Sequence, residues 1–329
     1  MNCSPLPWIS KTALPTTPVA ILSVICIGSL WGLYWIPLRA LQALAAGGPW
    51  ITFSVVSLAC LGLTPFAWKG RKRVAISSNR ALMSIALGGA SFVLYSDGLL
   101  YGQVAVVILF FYLTPVWSTL IVRFWLQWPV SPWRYAAIVT GLLGIALVLQ
   151  ASHPQGLPLP KSLGDLFGLA SGLLWSIAST GMYVHSRTRP AETNFIFCFG
   201  GMIMAAVLAL MLAPTPQEIS CAKIPAVAGW AILLGLGWWA LSLTAFMWAT
   251  RNLEPPRIGI LLMSEVIVGA ASAALLSNEP FTPVMGAGAV LVIAAGCLES
   301  LSGLKRKPTA NSKGAPHGEA SQGSTRPFF

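Results

Sequence analysis

The chain has 329 residues, 56% of them hydrophobic and only 9% charged, against about 25% charged residues in an ordinary soluble domain. So few charges cannot cover a water-facing surface, which excludes a soluble globular protein. The formal charge of +11 does not describe a nucleic-acid groove either, because the cations gather at the ends of apolar tracts, as Lys69, Arg71, Lys72 and Arg73 do, instead of lining one face among stacking aromatics.

A polar, Pro-containing stretch, Met1 to Pro18, leads into a first apolar span near 19–38. No small-residue cleavage site follows it, so the span is expected to be retained. A bilayer core of about 30 Å needs roughly 20 apolar residues of helix. Runs of that kind recur near 49–68, 81–101, 103–124 and 134–152, and again near 165–185, 193–213, 227–249, 256–276 and 283–303. Pro49 after Gly47-Gly48, Pro132, and Pro255-Pro256 mark helix starts. The tail from Gly303 to Phe329 is rich in Lys, Ser, Gly and Pro and is expected to be disordered. The predicted fold class is an all-α integral membrane protein of ten transmembrane helices.

Orientation follows from where Lys and Arg fall, since positive loops stay in the cytoplasm. Of the 20 such residues, only Arg39, Lys161 and Lys223 lie in the odd-numbered loops; the other 17 lie in the even-numbered loops and the terminal segments. The asymmetry predicts a multi-pass protein of the cytoplasmic (inner) membrane with both termini in the cytoplasm. Cys3, Cys26, Cys60, Cys198, Cys221 and Cys297 show no C-x-x-C spacing and read as small apolar residues. His153, His185 and His317 form no H-E-x-x-H motif, so zinc-protease chemistry has no ligands. No G-x-x-x-x-G-K-[ST] loop is present, which argues against ATP-driven transport. The chain is read as a non-enzyme with no cofactor and no metal.

The chain repeats itself. Gly28-Ser29-Leu30-Trp31 is echoed by Gly172-Leu173-Leu174-Trp175, and Phe124-Trp125-Leu126-Gln127-Trp128-Pro129 parallels Leu275-Leu276-Ser277-Asn278-Glu279-Pro280. The unit is five helices. Five is odd, so the second copy must cross the membrane in the opposite sense, the inverted-topology arrangement of many secondary transporters. The expected organisation is a cytoplasmic segment over 1–18, repeats over 19–152 and 160–303, and a tail over 304–329.

At these residues the sequence resembles the drug/metabolite transporter superfamily, specifically its EamA-type exporters of five plus five helices. The resemblance rests on Ser29-Leu30-Trp31-Gly32 and Leu174-Trp175-Ser176 opening each half, on Pro115 in the fourth span, and on Glu265 and Glu279 in and after the ninth. The sequence departs from the family where Val266 replaces a proline and Gln127 a glutamate. The resemblance implies alternating-access export of an amino acid or related metabolite.

Glu265 is the sharpest functional candidate, because a carboxylate facing lipid at mid-span costs about 2.5–3.5 kcal/mol and must therefore face protein or water. It reads as a proton-binding site, as a partner for a cationic group of the substrate, or as a hydrogen-bonded structural acid. Trp31, Trp35, Trp175, Trp238 and Trp239 lie too deep for an interfacial belt and, with Tyr95, are candidates to line a substrate cavity. Trp31 and Trp35, four apart, are expected to share a helix face. Asp97 and Glu279 are gate or entrance candidates; Asp97 has a helix-end hydrogen bond or contact with the substrate as its other readings, and Glu279 an end cap. Gly28…Gly32 and Gly168…Gly172 would let helices approach closely. The expected partners are a small-molecule substrate, membrane lipid and protons, with no nucleic acid and no oligomeric state indicated. An uncoupled facilitator, an uptake carrier, and a non-transporting scaffold or receptor are the other readings.

Overall fold

The structure is a computed structural model that describes residues 16–45, 47–125, 132–152, 160–185, 188–213, 220–253, 255–277 and 281–304. Gln127, Glu279, the N-terminal segment and the tail lie outside them. Every element in the described residues is helical. In chain order they are α1 (Thr16–Gly32), α2 (Trp35–Ala45), α3 (Pro49–Ala75), α4 (Asn79–Tyr101), α5 (Val104–Phe111), α6 (Thr114–Leu120), α7 (Pro132–Ser152), α8 (Leu163–His185) and α9 (Pro190–Leu212). There follow α10 (Ile224–Ile232), α11 (Leu243–Ala249), α12 (Pro255–Leu261), α13 (Met263–Leu276) and α14 (Pro283–Leu304). Among the described residues seven helical stretches are long and apolar enough to cross a membrane: Thr17–Ala45, Pro49–Ala75, Asn79–Tyr101, Pro132–Ala151, Pro190–Leu212, Cys221–Ala249 and Arg257–Leu276. Val104–Leu120 and Pro283–Leu298 are shorter apolar helices. The chain is an all-α, multi-pass membrane protein.

Several spans expected to be continuous are broken near their middles. The first breaks at Leu33 and Tyr34, whose N–H groups turn back to the carbonyls of Leu30 and Trp31, three residues earlier. Pro37 accounts for this, since a proline has no N–H to give and its ring opposes the carbonyl four residues before it, here that of Leu33. A second break separates α5 from α6 at Tyr112-Leu113, with Pro115 in the first turn of α6. A third falls at Leu262, between α12 and α13. Between α10 and α11 the helix widens to a π-helix over Leu233–Ser242, a distortion common at functional sites.

The close pairings run between the two halves of the sequence. α4 packs on α8 and α9, α3 on α9, α7 on α14, α1 on α13, and α5 on α8. Small residues set these distances. A Cβ on Gly32 would stand 2.7 Å from both the carbonyl oxygen of Glu265 and the N of Gly269, and one on Gly172 would stand 2.7 Å from the carbonyl oxygen of Phe111. Each glycine row therefore brings its helix onto the backbone of a broken helix from the other half. One end of the bundle joins α2 to α4 through Arg39, which donates to the carbonyls of Leu99 and Gly102 at 3.0 and 2.8 Å. At the other end Arg73 of α3 forms an ion pair with Glu192 of α9, and Arg251 donates to the Thr188 carbonyl.

Candidate functional site

The breaks converge on Glu265. It lies in the first turn of α13, just beyond the Leu262 break, and is 3% exposed. The Tyr112 hydroxyl, at the α5–α6 break, donates to Oε2 at 2.7 Å, and the Tyr95 hydroxyl from α4 donates to Oε1 at 3.2 Å. Tyr112 also stands 3.1 Å from the Leu262 carbonyl, so one phenol touches the acid and the backbone oxygen at the break beside it. No Lys, Arg or His among the described residues pairs with Glu265.

Two chambers meet at this acid. One, with about 20 Å³ of water-accessible space, is lined by Trp31, Tyr34, Phe92, Tyr95, Ser96, Trp238, Trp239, Leu243 and Glu265. The other, with about 140 Å³, is lined by Trp31, Phe92, Phe111, Tyr112, Thr114, Trp175, Phe246, Gly259, Leu262, Met263, Glu265 and Gly296. Trp31, Phe92 and Glu265 belong to both and divide them. Tyr34 and Ser96 come after Trp31 and Phe92 in their helices and Trp238 comes before Phe246, so the smaller chamber faces the Arg39 end. Gly259 and Thr114 place the larger one toward the Arg73–Glu192 end. A ligand crossing the bundle would pass Glu265.

Most polar groups of the walls are bonded to the protein itself. Trp31 Nε1 donates to Ser242 Oγ at 2.9 Å, Trp238 Nε1 to the Leu30 carbonyl at 3.2 Å, and Trp239 Nε1 to the Tyr34 hydroxyl at 3.0 Å. Tyr34 pairs with Ser96 at 3.2 Å, and Ser96 reaches the Phe92 carbonyl at 2.8 Å. These bonds fix the indoles against their neighbours. The rings are close: Phe92 lies 5.4 Å from Trp31, 5.3 Å from Trp175 and 6.0 Å from Phe111 between centroids, and Trp31 lies 4.9 Å from Phe246. Separations of 4.5–7 Å with tilted or T-shaped planes suit the ring quadrupoles.

Trp31, Tyr95, Trp175, Trp238, Trp239 and Glu265 thus meet at the chambers, and Trp35 does not. Its Nε1 donates to Ser272 at 3.0 Å, and Arg39 lies over its ring at 5.6 Å. The break at Leu33 and Tyr34 interrupts the helical rotation that was to keep Trp31 and Trp35 on one face. Asp97 also stands apart, fully buried instead of solvated. Thr52 Oγ1 of α3 donates to its Oδ1 at 2.5 Å, while Oδ2 has no partner among the described residues. Tyr34, Phe92, Tyr112 and Phe246 were not expected. Within an apolar span an aromatic carries no mark of depth or direction, and the signal that could have found Tyr112 is Pro115, three residues on in the first turn of α6.

Interrupted helices that meet around a buried polar site are the arrangement in which many secondary transporters hold their cargo. Residues 18–150 match the EamA-like transporter family, a family of membrane transporters. A crystal structure described only as that of a protein is similar to the chain with a TM-score of 0.58 and 15% identity, over 88% of this chain and 98% of that one. That likeness is one of fold. No curated protein matches the chain.

Proposed function

We propose that the chain is a secondary transporter that exports a small, amino-bearing organic metabolite by alternating access, with Glu265 exchanging a proton for the cargo. The observation that carries this reading is the junction of the two chambers at one buried carboxylate to which no Lys, Arg or His among the described residues is paired. Burying an ionised carboxylate is costly unless a positive charge accompanies it. A bound proton or a cargo ammonium meets that need, and whichever is present displaces the other. Ten transmembrane helices in two inverted halves, 19–152 and 160–303, are the arrangement we infer. In its support, the principal pairings keep their pattern when the halves are exchanged: α1 on α13 answers α8 on α5, α4 on α8 answers α1 on α11, and α3 on α9 and α7 on α14 map onto themselves. With both termini in the cytoplasm, the Arg73–Glu192 end is cytoplasmic. A metabolite-efflux comparison of cells with and without the protein tests the function. Selective loss of an amino-bearing metabolite from expressing cells is expected, and unchanged internal and external pools would contradict it.

A further inference from the structure

We infer that the cargo is an organic cation with an aromatic or apolar body and no carboxylate, so that the site takes the amine and excludes the corresponding amino acid. This rests on the transport reading but narrows it, since the family resemblance alone implied an amino acid. A zwitterion needs two complements, an acceptor for its ammonium and a cation or a set of donors for its carboxylate. The chambers supply the first. Glu265 accepts two tyrosine hydroxyls, and a carboxylate has about four lone-pair positions, so capacity remains for an ammonium.

The second complement is missing. No Lys, Arg or His is among the described residues lining either chamber. The donors are also spent on the protein's own acceptors: Trp31 on Ser242, Trp238 on Leu30, Trp239 on Tyr34, and Thr114 on the Phe111 carbonyl. A carboxylate placed here would lose its water and gain no counter-charge, beside an acid of the same sign. The exception among the indoles is Trp175, which lines the larger chamber and has no hydrogen-bond partner among the described residues. One neutral N–H can meet a hydroxyl or ether oxygen on the cargo, but it cannot balance a full negative charge.

Tryptamine and tryptophan differ by the carboxylate alone, as do phenethylamine and phenylalanine. Isothermal titration calorimetry of the full-length protein in lipid nanodiscs compares the members of each pair. The expected result is that each amine binds at least tenfold more tightly than its amino acid, with the amine affinity falling at least tenfold in Glu265→Gln. Equal or tighter binding of the amino acids, or no binding of either amine, overturns the inference. The wild-type comparison decides the matter even if Glu265→Gln fails to fold. Flux in proteoliposomes separates the two readings: amines that bind with the expected selectivity but do not cross would remove the transport reading and leave the cargo chemistry standing.

Discussion

The Tyr112 hydroxyl donates to Oε2 of Glu265 at 2.7 Å, across the contact between the two halves of the sequence. Its single proton also faces the Leu262 carbonyl at 3.1 Å, so the choice of acceptor depends on whether Glu265 is charged. A charged Glu265 draws the proton to itself, and a neutral one leaves it to the backbone oxygen at the α12–α13 break. Tyr112→Phe removes both bonds. A hydrogen bond to a charged group contributes about 1.5–3 kcal/mol, so the variant is expected to bind an ammonium cargo roughly ten- to hundredfold more weakly. Calorimetric titration checks this, and an unchanged affinity would show that the tyrosine does not hold the acid.

The indoles divide by what their N–H groups do. Trp31→Phe and Trp239→Phe each lose a buried hydrogen bond and leave Ser242 or Tyr34 without that partner. A cost of about 1 kcal/mol in stability is expected for each. Trp175→Phe removes no bond of the protein and should leave the melting temperature within a degree or two while changing cargo affinity. Thermal unfolding in one detergent, alongside binding, measures both effects.

Gly32 is fixed by backbone, not by side chains that could turn away. A methyl there meets the Glu265 carbonyl oxygen and the Gly269 nitrogen at 2.7 Å, so Gly32→Ala must push α1 off α13. Overpacking of this kind costs about 1–3 kcal/mol, and flux should fall with it because Glu265 moves too. Gly229 has nothing within 4 Å of an added methyl. Gly229→Ala therefore serves as the control and should melt no lower than the wild type.

The Arg73–Glu192 pair joins α3 to α9 where Glu192 is only 2% exposed. Arg73→Gln strands a buried carboxylate and is expected to lower the melting temperature more than Glu192→Gln does. The double variant should melt above Arg73→Gln alone, because the stranded charge has gone. Strictly additive losses would show that the two residues do not interact.

How much of this could be read in the sequence depends on the kind of signal each feature leaves. Apolar runs bounded by Pro49, Pro132 and Pro255-Pro256 placed the helices because span length is set by the bilayer and proline has few positions in a helix. Glu265 stood out because a carboxylate in an apolar run has few places to go. Tyr34, Phe92 and Tyr112 did not, since a ring facing lipid and a ring facing a chamber satisfy the same composition. Trp35 was misplaced by a rule that assumes an unbroken helix. Pro37 and Pro115 carried the signals for two of the breaks, yet the third, at Leu262, has no proline nearby to announce it. Asp97 looked accessible from its place four residues before the end of α4, but Thr52 on the neighbouring α3 encloses it.

Flux against an imposed proton gradient tests proton exchange at Glu265 most directly. Proteoliposomes holding wild type or monodisperse Glu265→Gln, with protein-free vesicles as background, are given an amine cargo with and without the gradient. The gradient is expected to accelerate cargo movement in the wild type at least several-fold and to have no effect on whatever movement Glu265→Gln retains. Equal acceleration of both proteins by the gradient would contradict it.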